Sequence, residues 1–70
     1  MTIYLIKYRF KEDGDSREYF ACSSVTDAEK KLRQLSKDNN IQVEVDEEQG
    51  PIRVLRPKTQ KDVINLINEL

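Results

Sequence analysis

The sequence predicts an α+β domain in the order ββαββα, a four-stranded, mostly antiparallel sheet with two helices packed on one face. Three observations predict it. Segments 2–11 and 41–45 follow the period of two of a half-buried strand, and 17–23 and 52–56, each following an acidic turn, read as their partner strands. The segments that follow Thr26 and Thr59 repeat apolar residues at helical spacing. Each pair of strands is separated by an acidic turn containing a glycine, Gly14 in the first and Gly50 in the second.

The first strand is the clearest. Tyr4, Ile6, Tyr8 and Phe10 fall on one face and Ile3, Leu5, Lys7, Arg9 and Lys11 on the other, which sends the even set to the core. Asp13-Gly14 marks a turn because glycine reaches positive φ without steric cost. In the second strand Phe20 and Cys22 point inward, opposite Tyr19 and Ala21. Thr26 with Glu29 fits a capping box, and Ser24 with Asp27 is the competing helix start. Val25, Ala28, Leu32 and Leu35 then line the apolar face, and Asp38-Asn39-Asn40 ends the helix.

The third strand places Ile41, Val43 and Val45 inward. The fourth, containing Val54, lies at an edge and is stopped by Pro57, which has no N–H for a ladder. Thr59 and Asp62 cap the last helix, whose stripe is Val63, Leu66, Ile67 and Leu70. The expected core is therefore Tyr4, Ile6, Tyr8, Phe10, Phe20, Cys22, Ala28, Leu32, Leu35, Ile41, Val43, Val45, Val54, Val63, Leu66 and Ile67. If the helix between strands two and three is a right-handed crossover, the arrangement is a circular permutation of the ferredoxin-like sandwich. The two ββα halves can also be read as a weak repeat, with Thr26 matching Thr59.

Composition sets the limits. Residues 1–70 have room for one core and no second lobe, and a deep substrate cleft is hard to build at this size. Leu, Ile, Val and Phe make up 19 of 70 residues and the net charge is −1, a folding rather than a disordered composition. The mean hydropathy of −0.74 reflects a heavily charged surface. No stretch is long and apolar enough for a membrane span, and Met1–Lys7 lacks the basic start and apolar run of a secretory signal. One cysteine and no histidine rule out an internal disulfide and the usual zinc ligand sets. A cytoplasmic location, no cofactor and no metal are the expectations.

Catalytic chemistry has little to work with. Cys22 has no histidine to activate it and reads as a small buried hydrophobe. The carboxylates cluster in turns and on helix faces, and no phosphate-binding loop or dinucleotide fingerprint is present. The acidic turns also miss the alternating spacing of a calcium loop. We therefore expect a protein that acts by binding.

Two surfaces are candidates. Asp13 and Asp15 in the first turn, and Glu47 and Glu48 in the second, could contact a basic groove on a protein partner. Ile3 and Leu5 would add an apolar patch on the outer sheet face. This describes an adaptor or inhibitor; an acidic mini-protein of the phage or mobile-element type that blocks a basic nucleic-acid channel is one form of it. The alternative is a nucleic-acid module in which Lys7, Arg9, Lys11 and Arg53 hold phosphates beside Tyr19. A pI near 5.4 favours the protein partner. A homodimer through the fourth strand and the Ile3/Leu5 patch is a third expectation.

Overall fold

The computed structural model describes residues 1–69, except that within the last helix the side chains of Val63, Leu66, Ile67 and Glu69 are not described. The expected core positions Val63, Leu66 and Ile67, and the docking of Leu70, lie outside what is described. The fold is the α+β arrangement of the sequence pattern, a four-stranded antiparallel sheet with two helices. The elements are β1 (Ile3–Phe10), β2 (Glu18–Cys22), α1 (Val25–Ser36), β3 (Ile41–Val43), β4 (Arg53–Leu55) and α2 (Gln60–Glu69).

β1 is the axis of the sheet, because every other strand pairs with it. β2 runs antiparallel along one side, with Tyr4 opposite Cys22 and Tyr8 opposite Glu18. β3 and β4 share the other side: β3 pairs with Tyr8–Phe10 and β4 with Ile3–Leu5. They are two halves of one interrupted edge strand rather than the two arms of a hairpin. At any height the sheet is three strands wide, which separates it from a permuted ferredoxin-like sandwich. The eight residues of β1 provide length for both three-residue partners, which a shorter central strand would not.

The interruption has a defined parity. Tyr8 faces Val43 and Tyr4 faces Val54, so four steps along β1 match eleven along the edge. The excess of seven is odd. It exchanges odd for even positions, so Ile41, Val43 and Val54 all lie on the face of Tyr4, Tyr8 and Phe10. Without that flip, Val54 would turn to the opposite face.

The chain leaves the ladder after Glu44, whose N–H donates to the Lys7 carbonyl at 2.8 Å. Val45, expected in the core, is 67% exposed because it begins this excursion. Asp46 and Gly50 then bond to each other in both directions at 2.9 Å. Gly50 sits at φ +79°, where a side chain would be strained. Gly14 does not adopt positive φ, so the first turn does not use its glycine in the expected way.

α1 links β2 to β3 and packs across the even face of the sheet. Ser24, not Thr26, is its N-cap: Ser24 is extended at φ −121°, ψ 127° and its hydroxyl accepts from the Asp27 N–H. Val25 thereby becomes the first helical residue and is 46% exposed, outside the stripe it was expected to join. Ala28 and Leu35 are buried against the sheet with Ile6, and Leu32 is half-buried. Tyr8 and Phe10 add an edge-to-face ring pair at 6.1 Å.

Leu5 lies on the opposite face and is only 3% exposed. β1 is therefore buried on both sides at its centre, since Ile6 is fully covered as well. Pro57 is also buried between β4 and α2. α2 begins as the sequence predicts: the Thr59 hydroxyl accepts from Asp62 N–H, and an Asp62 carboxylate oxygen accepts from Thr59 N–H and Lys58 N–H, each at 3.2 Å.

Candidate functional site

The two acidic turns are built differently and occupy different places. The first closes the end of the sheet between β1 and β2. Phe10 N–H donates to the Ser16 hydroxyl at 2.8 Å, and that hydroxyl donates back to the Phe10 carbonyl at 3.4 Å. Within the turn, Asp13 N–H donates to the Phe10 carbonyl and Ser16 N–H to the Asp13 carbonyl. Asp13 also accepts from Asp15 N–H through its carboxylate at 3.2 Å, an Asx turn. Asn40 ties the other flank down, accepting from Lys11 N–H on its carbonyl at 2.7 Å and from Glu12 N–H on its side chain at 3.2 Å. Asp13 is thus partly committed to the shape of its own turn, whereas the Asp15 side chain is exposed with no such duty among the hydrogen bonds of the turn.

The second turn projects from the interrupted edge between β3 and β4. Asp46 organises it: one carboxylate oxygen accepts from both Glu48 N–H and Gln49 N–H at 2.9 Å. These two bonds, the Gln49 one foremost, hold the carboxyl below the ordinary aspartate range, and the nearby Arg53 guanidinium adds to the effect. Gln49 turns back to accept from Val54 N–H at 2.6 Å. Glu47 and Glu48 are left exposed at the tip. Asp46 and Gln49 were absent from the candidate residues, although an Asp two and three residues before backbone donors, with a glycine at the turn's end, is a legible Asx-turn signal.

The basic row is largely spoken for. Lys7 forms an ion pair with Glu44 at 3.3 Å, its side chain only 17% exposed, and its ammonium also lies 5.8 Å from the Tyr19 ring centre. Arg9 donates to the Gln42 side chain at 2.8 Å across the β1–β3 pair. Arg53 is half-buried at the end of β4 nearest Asp46. Lys11 is exposed. The row shares one face, as alternation predicts, but Lys7 and Arg9 are engaged with neighbours rather than presented together.

The apolar patch divides in the same way. Leu5 is buried and offers no side-chain surface, whereas Ile3 is half-buried and Ala21 exposed, beside Met1 at 83% exposure. Cys22 is half-buried, its thiol donating to the Ser24 carbonyl at 3.2 Å. The concave regions are shallow grooves; one of about 390 Å³ runs between β2 and α1, lined by Phe20, Lys30 and Lys31 among others. Among the described residues no three or more Asp, Glu or Cys side chains gather as metal ligands, and no helix is long and apolar enough to cross a membrane.

Comparison with protein-family models, with curated proteins and with solved structures finds no match to this chain.

Proposed function

We propose that this protein acts by binding another protein, as a small non-enzymatic adaptor or inhibitor that docks through its acidic turns. The observation that carries this reading is the division of labour within each turn. In both, one aspartate, Asp13 or Asp46, is bonded to the turn's own backbone, while Asp15, Glu47 and Glu48 are exposed on the shape so fixed. A carboxylate held on an ordered turn loses less conformational entropy on binding than one on a loose loop, so more of its attraction to a basic surface survives as affinity.

The engagement of Lys7 with Glu44 and of Arg9 with Gln42 favours a protein partner over nucleic acid. A phosphate would have to compete with a carboxylate already 3.3 Å from Lys7. The partner chemistry is a basic protein groove, and a nucleic-acid channel occupied by acidic side chains is one such groove.

The test is a tagged pull-down from native lysate, split and treated with nuclease in one half, run beside a variant carrying Asp15→Asn, Glu47→Gln and Glu48→Gln. A protein captured in both halves by the wild type and lost by the variant is the expected result. Capture that disappears with nuclease, or that the variant retains in full, would overturn the reading.

A further inference from the structure

We propose that the second acidic turn of one copy docks in the groove between β2 and α1 of the next, joining copies head to tail. This rests on the reading of Glu47 and Glu48 as docking residues and names a basic groove that they fit. The β2 side of that groove is Phe20 and Cys22, and its α1 side is Asp27, Lys30, Lys31 and Gln34. Two ammonium groups outnumber one carboxylate there. Lys31 lies over Phe20, its ammonium 5.3 Å from the ring centre, and among the described residues neither lysine is held in an ion pair. The groove therefore offers positive charge beside an apolar surface.

The second turn presents the complement. Val45 is 67% exposed, and Glu47 and Glu48, two and three residues further on, are exposed as well. Asp46 between them accepts from the Glu48 and Gln49 N–H groups and closes the turn with Gly50. One valine and two carboxylates are thus carried on a fixed shape, which lowers the entropy lost on docking. Exposed ion pairs alone contribute little, so the burial of Val45 against Phe20 and Cys22 is part of the fit. Glu47 and Glu48 then meet Lys30 and Lys31, and opposite charge fixes the orientation.

The sheet sets the two patches at matching positions. Glu44 N–H is bonded to the Lys7 carbonyl and Arg53 lies opposite Leu5, so the turn leaves the sheet level with Ile6. Phe20 lies opposite Ile6 on the other side of β1. Turn and groove therefore stand at one height along β1, at opposite edges of the sheet. Setting one copy beside the next brings turn to groove with both folds unchanged. The contact is made by side chains and uses no backbone group of the β2 edge. Because the two patches differ, the contact is heterologous, and a row of copies keeps one unfilled turn and one unfilled groove at its ends.

The experiment is light scattering and sedimentation equilibrium of the purified chain from micromolar to millimolar concentration. The expected mass rises from 8.2 kDa with no plateau at two copies. Glu47→Gln with Glu48→Gln should weaken association about tenfold, and Lys30→Glu with Lys31→Glu, which turns attraction into repulsion, about a hundredfold. Each double variant should keep the wild-type circular dichroism spectrum. Mixed together they should form a pair that stops at two copies, because one supplies an intact turn and the other an intact groove. The groove variant retains both acidic turns, so its capture of a different protein from lysate tests their docking separately. A chain that stays at 8.2 kDa at every concentration, a groove variant that associates like the wild type, or a mixture of the two variants that does not pair would overturn the proposal.

Discussion

Replacing Leu5 by alanine separates two pictures of the central strand. On alternation alone Leu5 belongs with Lys7 and Arg9 on the outer face, where truncation changes stability by no more than about 0.5 kcal/mol. In the structure it is 3% exposed, so the substitution removes three buried carbon atoms. At roughly 0.8 kcal/mol for each buried methylene the transfer loss is about 2.4 kcal/mol, and incomplete collapse of the cavity raises the total to about 3 kcal/mol. A domain of this size holds about 3.5–10 kcal/mol in all, so the variant should sit near the limit of folding. The assay is urea unfolding followed by circular dichroism, with thermal melting beside it. A fall in Tm of about 12–24 °C is expected at roughly 4–8 °C per kcal/mol. Ile3→Ala, at a half-buried position two residues earlier, is the internal comparison and should cost less. A loss below about 1 kcal/mol at Leu5, with an unchanged m-value, would refute the two-sided burial of β1.

Two further outcomes follow from single side chains. Ser24→Ala removes the acceptor for Asp27 N–H and should destabilise the domain by about 0.5–1 kcal/mol, while Thr26→Ala should stay within about 0.5 kcal/mol; denaturant midpoints for the pair test which residue starts α1. Asp46 binds its proton less readily in the folded chain than in the unfolded one, because its charged form accepts the Gln49 and Glu48 bonds. Its contribution is therefore fully present above the unfolded aspartate pKa and is lost as pH falls through the lower, folded value. Asp46→Asn should flatten the acid limb of a stability-against-pH curve, and an unchanged limb would show that the turn does not depend on the carboxylate.

The element order was legible because each element carries a local signal strong enough to survive packing. The alternation of β1, the pairing of Thr59 with Asp62 and the stop at Pro57 all reflect interactions within a few residues. Local signals do not decide between equivalent local solutions. Ser24 and Thr26 both offer a hydroxyl with an acidic residue three positions on, and the sheet contacts of α1 bury Ala28 and Leu35 when the helix starts at Val25. Nor do they show what lies on the far side of a strand. On its own face Leu5 sits between half-buried Ile3 and Lys7, and only the assembled fold covers it.

The pairing of β3 and β4 was the least legible feature, and its reason bears on the candidate site. Two apolar runs flanking Asp46–Gly50 have the sequence of a hairpin, and the turn between them is indeed closed by reciprocal bonds. What the local pattern lacks is the competing offer of a long central strand. Once β1 extends over eight residues, each short run gains a ladder on it, and pairing the runs with each other would leave half of that edge open. The turn is then expelled sideways, with Asp46 and Gln49 spent on holding it and on shielding Val54. Glu47 and Glu48 are carried outward by the same event. Their exposure is a consequence of the strand pairing, so a change that shortened β1 at Arg9 or Phe10 should also disorder the second acidic turn through the release of β3. Amide exchange at Glu48 and Gln49 in an Arg9→Pro variant would measure that coupling, and protection equal to the wild type would show that the turn stands without the sheet.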